Sequence, residues 1–174
     1  MDGLSQGEHV VAKLYDPLYF DDDDLYLNPF KAVDYNYTCE VAAFETLSDL
    51  QGSTIPKYYG SYSLDIPVDT DNKRCVHLIL IELISGSSMQ NLDPGEMPQR
   101  VRQNILKSVI EFGTIAFSRK IASGDLHPRN IMLTSSARSA VFIILEIIVS
   151  ILGSSPMSRL SCGGMKLKHV LSRG

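Results

Sequence analysis

Cysteine is scarce in this 174-residue chain, and its basic residues form no stripe. The 3 cysteines, Cys39, Cys75 and Cys162, are odd in number and lack the close spacing of a metal site. They indicate reduced thiols rather than a disulfide framework, so we expect a cytoplasmic protein. The formal net charge of -4, without a basic face, argues against nucleic acid as the main partner.

A signal peptide and a long apolar run are also missing. The N-terminus is polar and acidic, which does not match a signal peptide. The apolar run at residues 141–152 is interrupted by Glu146 and Ser150. A membrane span needs about 20 apolar residues, and runs of about 10 to 14 usually belong to a core. We therefore expect no membrane span, and a small membrane-associated protein is the third and weakest interpretation.

The remaining composition is that of a globular protein, with 44% hydrophobic and 21% charged residues. The length allows one domain, or one large and incomplete domain. Residues 10–15 are β-branched and apolar around Lys13, which predicts a strand. Residues 16–36 predict a loop, and the four adjacent acids at 21–24 lack calcium-loop spacing, which favours a solvated acidic segment.

A helical period follows over residues 37–50. The apolar positions that recur with this period are Tyr37, Val41, Phe44 and Leu47. We expect Asn36 or Thr38 to cap the start of this helix, and Gly52 to follow its end.

Two strands and a longer helix are predicted next. Residues 55–64 and 76–81 predict the strands, and residues 69–73 have the composition of a turn between them. Residues 98–119 predict the longest helix. The apolar stripe of that helix consists of Val101, Ile105, Val109, Phe112 and Ala116.

A short polar loop separates this helix from the next apolar run. It reads Gly124-Asp125-Leu126-His127-Pro128-Arg129-Asn130 and continues into Ile131-Met132-Leu133. Phosphotransferases need one carboxylate to accept the proton of the attacking hydroxyl, and one amide oxygen nearby to hold magnesium. Asp125 and Asn130 have these chemical types at this spacing. The alternative interpretation is a polar loop with an aspartate cap.

The loop resembles the catalytic loop of the protein-kinase-like superfamily. It is most similar to the branch shared with aminoglycoside and choline phosphotransferases, which reads His-Gly-Asp-Leu-His-x-x-Asn. Ser123 stands at the family's His, and Gly124 stands where protein kinases carry Arg. The resemblance implies that Asp125 is the catalytic base and Asn130 a magnesium ligand. His127 and Arg129 lie inside the loop without a firm role.

The resemblance extends in chain order over roughly residues 8–144. Residues 10–13 are similar to the kinase strand whose lysine contacts the α- and β-phosphates, which implies that role for Lys13. Glu40, with Phe44 one turn later, is similar to the helix glutamate that pairs with that lysine. Glu45 lies on the same predicted helix and is the competing partner.

Residues 82–89 resemble the kinase hinge, whose backbone binds the adenine edge. The resemblance implies that Ile81 is the gatekeeper and that Glu82, Leu83 and Ile84 contact adenine. The implied cofactors are ATP and Mg²⁺, and the implied partners are a nucleotide and a hydroxyl acceptor, either protein or small molecule.

Two parts of the family pattern are missing. Only twelve residues precede Lys13, and Gly3 and Gly7 lack the spacing of the Gly-rich phosphate loop. Leu145 stands where the metal-binding Asp is due, and Glu146, one position on, would face the other side of a strand. We therefore expect weak nucleotide binding that depends little on magnesium.

The sequence thus predicts an α+β protein with a partial kinase-like fold. An incomplete N-lobe, with an antiparallel sheet and the C-helix, spans about residues 8–84, and the hinge spans 82–89. The start of a helical C-lobe spans 90–144, so that 1–144 form one domain. Residues 145–174 are left unassigned, either as a disordered tail or as an artefact of the gene model. The expected function is phosphoryl transfer from ATP to a hydroxyl, weak or inactive in this chain, and the alternative is a non-catalytic pseudokinase or interaction fragment.

Overall fold

The computed structural model describes residues 9–19, 28–123, 126–134, 140–142 and 147–149. This part of the chain is α+β, with two α-helices and small antiparallel sheets, which confirms the predicted class. The architecture is compatible with a partial kinase-like fold. None of the helices in these ranges is both long and apolar enough to cross a membrane.

The first sheet contains β1 (Val10–Tyr15), β2 (Tyr58–Pro67) and β3 (Lys73–Glu82) in the antiparallel order β1-β3-β2. The predicted turn between β2 and β3 is confirmed. The carboxylate of Asp69 accepts hydrogen bonds from the backbone N–H groups of Asp71 and Asn72, at 3.0 and 2.8 Å. These local bonds hold the chain in the turn and bring the two strands into register.

The first helix, α1 (Pro29–Thr46), begins eight residues before the predicted start at 37. Asn28 is the N-cap, and its side-chain oxygen accepts from the N–H groups of Phe30 and Lys31 at 3.1 and 3.3 Å. Pro29 suits the first turn because it has no N–H to leave unpaired. The expected caps at Asn36 and Thr38 are therefore wrong, and the predicted loop ends at the N-cap. The acidic run at 21–24 lies outside the described residues.

The second helix, α2 (Gln99–Ser118), confirms the prediction for 98–119. Phe112 and Ala116 of the predicted stripe are buried, and Val109 packs against the core. The opposite face of α2 exposes Leu106, Ile110 and Phe117, at 60%, 60% and 81%. Part of the apolar surface of this helix thus has no cover from the described residues.

The remaining strands form two further sheets. Three of them pair in the order β4-β6-β7, namely β4 (Gly86–Ser88), β6 (Ile131–Thr134) and β7 (Ala140–Phe142). The other two, β5 (Ile121–Ser123) and β8 (Ile147–Val149), pair antiparallel. Strand β8 lies inside the range 145–174 that the sequence left unassigned, whereas 145–146 and 150–174 lie outside the described residues.

One hydrophobic core joins the elements. Phe44, Leu47, Ile55 and Ile79 are fully buried between α1 and the first sheet. The core continues to Phe142, whose ring stacks on Phe112 of α2 with centroids 4.4 Å apart. The residue after α2 is also tied to the turn after α1, because the guanidinium of Arg119 donates to both carboxylate oxygens of Asp49, at 2.5 and 2.8 Å.

Candidate functional site

Strand β1 and helix α1 bring Lys13 and Glu40 together. Alternation along β1 places Val11, Lys13 and Tyr15 on one face of the sheet, and α1 packs against this face. The Nζ atom of Lys13 donates to Oε2 of Glu40, so the predicted ion pair is present. The competing Glu45 is exposed on the helix.

Burial differs between the two partners. Glu40 is 2% exposed, whereas 27% of the Lys13 side chain is exposed. The helix therefore holds the carboxylate inside the protein, while part of the Lys13 side chain remains exposed to solvent. The register pairs Lys13 with Ile79 and Val11 with Ile81, which places an apolar surface beside the ammonium.

Tyr15 is a third member of this cluster, which the sequence analysis missed. Its hydroxyl also donates to Oε2 of Glu40, and the residue is 6% exposed. Its ring packs edge-on against Tyr37, with centroids 5.4 Å apart and an interplanar angle of 68°. The signal in the sequence was the spacing of two positions from Lys13, which puts both side chains on the same face of a strand.

The pKa values in the cluster follow from burial and charge. Burial raises the pKa of the Glu40 carboxyl, and the opposing effects come from Lys13, through its charge and hydrogen bond, and then from the Tyr15 hydroxyl. Burial, followed by the charge of Glu40, raises the pKa of Tyr15 well above its ordinary value. Tyr15 is therefore protonated at physiological pH and acts as a hydrogen-bond donor.

The segment predicted as a hinge lines a cleft. Ile81 is buried, and Glu82 is held by Lys57 through two bonds: its backbone N–H donates to the Lys57 carbonyl at 2.9 Å, and its carboxylate accepts from the Lys57 N–H at 3.0 Å. A cleft of about 430 Å³ is lined by Gly52, Ser53, Ile55, Glu82, Leu83, Ile84, Ser85, Thr134 and Val141. Lys13 and Glu40 are not among these lining residues. A nucleotide cleft lined by the ion pair stays a prediction.

The predicted catalytic loop is described in part. Asn130 is 2% exposed and ends the short 3₁₀ turn Pro128–Asn130, directly before β6. The hydroxyl of Ser88 at the end of β4 contacts the carbonyls of Pro128 and Arg129, both at 3.3 Å, and ties this turn to the neighbouring strand. Asp125 lies outside the described residues, as do Leu145 and Glu146 at the position of the expected metal-binding Asp.

The magnesium site that the resemblance implies is described only at Asn130, because position 145 lies outside the described residues. In the ranges given above, no group of three or more His, Cys, Asp or Glu side chains is arranged to hold a metal ion. Asn130 is the one described residue assigned to the metal, and its role as a ligand stays a prediction.

Comparison with known proteins gives a distant structural similarity. No protein-family model and no curated protein sequence matches the chain. The fold is similar to the medium-resolution structure of the bifunctional kinase-methyltransferase WbdD, with a TM-score of 0.49 and 18% sequence identity. The similarity covers 83% of this chain and 29% of that chain, so the present chain spans less than a third of that protein.

Proposed function

We propose that residues 1–144 are a kinase-like nucleotide-binding domain, whose ancestral reaction is transfer of the ATP γ-phosphoryl group to a hydroxyl. The observation that carries this proposal is the pair formed by the partly exposed Lys13 and the buried Glu40. Burying a carboxylate is costly, and such pairs are weak sources of stability. A role in holding one ammonium at a defined point beside an apolar surface explains the arrangement better.

Each residue then has a separate task. Lys13 contacts the nucleotide phosphates, and Glu40 keeps Lys13 in place. Asp125 accepts the proton of the attacking hydroxyl. The oxygen of that hydroxyl bonds to the γ-phosphorus as the bond from the γ-phosphorus to the β,γ-bridging oxygen breaks, which releases ADP. Asn130 is the proposed metal ligand, and no step is assigned to magnesium because Leu145 stands where the resemblance expects the second metal ligand.

The adenine end of the nucleotide is proposed to lie against the sheet and the linker. Val11 is 38% exposed and lies beside the buried Ile81 on the face that carries Lys13. These side chains offer an apolar surface to the base, and the backbone of Glu82, Leu83 and Ile84 offers polar groups to its edge. We expect weak binding and weak or absent phosphotransfer in this chain.

A second candidate is a non-catalytic interaction module. It is favoured by the exposed apolar face of α2, formed by Leu106, Ile110 and Phe117. Phosphotransfer to any hydroxyl acceptor would separate the two candidates, because an interaction module needs no transfer chemistry.

The test is isothermal titration calorimetry of the full chain with ATP, with and without Mg²⁺. We expect a Kd of the order of millimolar that changes little with Mg²⁺ and is lost in Lys13→Met. The matched control is Lys107→Met, because Lys107 is 74% exposed and pairs with Glu111 on the surface of α2. Micromolar binding that requires Mg²⁺ would contradict the expected weakness. No binding by the folded chain would overturn the nucleotide proposal in favour of the second candidate.

A further inference from the structure

We infer that Tyr15 is a positioning residue for Lys13, because its hydroxyl selects the oxygen of Glu40 to which the Lys13 ammonium binds. The inference rests on the proposed function in assuming that Lys13 meets a phosphate. The contact between Tyr15 and Glu40 itself is independent of that function.

Two donors meet at one carboxylate oxygen. Lys13 and Tyr15 both donate to Oε2 of Glu40, and nothing among the described residues donates to the buried Oε1. A carboxylate held by lysine alone could rotate and offer either oxygen to a long, flexible side chain. The phenol removes this freedom, since its rigid ring reaches Oε2 from a second direction.

The ring of Tyr15 is itself held in place. Tyr37 packs against its edge, and Tyr37 in turn stacks on His77 with centroids 4.6 Å apart. Phenylalanine would occupy the same volume and keep these ring contacts. The hydroxyl is therefore not needed for packing, and its effect on the ion pair can be measured separately.

Removing the hydroxyl has a defined electrostatic consequence. The titratable groups that interact with Glu40 are Lys13 and Tyr15, both on β1, and both lower the pKa of Glu40 against the larger effect of burial. In Tyr15→Phe the pKa of Glu40 should rise. Lys13, bound to a less constrained carboxylate, should become more reactive and bind phosphate less well.

The experiment compares the full-length wild type with Tyr15→Phe and Tyr62→Phe. The second variant is the matched control, because the Tyr62 hydroxyl donates to the Tyr59 carbonyl at 3.2 Å. Three quantities are measured: the pKa of Glu40 by carboxyl ¹³C NMR, the acylation rate of Lys13 by acetic anhydride with mass spectrometry, and the Kd for ATP by calorimetry. We expect Tyr15→Phe to raise the pKa of Glu40 and the acylation rate of Lys13, and to weaken ATP binding by about three- to ten-fold. Tyr62→Phe should leave all three quantities unchanged.

An unchanged Glu40 pKa and Lys13 acylation rate in Tyr15→Phe would overturn the inference, whatever happens to ATP. If the wild type binds no ATP, the proposed function fails, while the NMR and acylation results still decide whether Tyr15 controls the pair. If Tyr15→Phe does not fold, 3-fluorotyrosine at position 15 keeps the ring and strengthens the donor. It should then lower the pKa of Glu40, and no change would count against the inference.

Discussion

Replacing Lys13 with methionine should destabilise the protein in a pH-dependent way. Methionine keeps an unbranched apolar side chain and removes the ammonium, so Glu40 retains only the Tyr15 hydroxyl. Removing one partner of a fully buried ion pair costs about 3 to 5 kcal/mol. Because 27% of the Lys13 side chain is exposed, water screens part of the attraction. We therefore expect a loss of about 2 kcal/mol at pH 8.

The pH dependence follows from the raised pKa of Glu40. Between its ordinary value of 4.5 and the raised value, the folded chain binds the proton more readily than the unfolded chain. The stability contributed by this carboxyl is therefore complete below that window and is lost as pH rises through it. Lys13 lowers this pKa, so Lys13→Met extends the window upward. At pH 5 a proton on the Glu40 carboxyl of Lys13→Met neutralises part of the charge that the lysine would otherwise balance. The loss in the free energy of unfolding should therefore be smaller at pH 5 than at pH 8.

Urea denaturation followed by circular dichroism at pH 5 and pH 8 measures both losses. Lys107→Met serves as control and should change the free energy of unfolding by less than about 0.5 kcal/mol at either pH, because its pair with Glu111 is exposed. Equal losses at both pH values, or a loss no larger than that of the control, would refute the reasoning. In a Glu40→Gln background, the loss of stability caused by Lys13→Met should be equal at pH 5 and pH 8, since the titrating carboxyl is then absent.

Three further predictions concern the fold. Gly86→Ala should lower the free energy of unfolding by about 1 to 3 kcal/mol and weaken amide protection in β4 and β6, because the new Cβ would clash with the carbonyl oxygen of Leu133. Hydrogen exchange would measure the protection, and unchanged protection would contradict the prediction. Lys120→Gly should raise the free energy of unfolding by about 1 kcal/mol in urea denaturation, because Lys120 has a φ of 60°; Lys120→Ala is the control and should give no gain. Ending the chain at residue 144 removes β8, so the amides of β5 should exchange faster than in the full chain; equal rates would show that the pairing does not protect β5.

Local patterns in the sequence predicted several elements because neighbouring residues determine them. Strand β1 follows from a run of β-branched and apolar residues. The turn at Asp69 follows from side-chain hydrogen bonds to the nearby backbone, and the helix α2 follows from an apolar stripe. The start of α1 was also a local signal, since an Asn followed by Pro is typical of a helix N-terminus. It was missed because the polar segment before residue 37 was interpreted as one loop.

The sequence by itself indicated Lys13 as one partner of the central ion pair, and it left Glu40 and Glu45 as candidates for the other because both lie on the predicted helix. Only the tertiary structure decided how that pair is built. Lys13 and Glu40 are 27 positions apart, and the packing of α1 on the sheet determines that one is partly exposed and the other buried. The same packing brings in Tyr15 as a second donor. Contacts of this kind depend on how distant segments meet in space, which no local pattern of residues specifies.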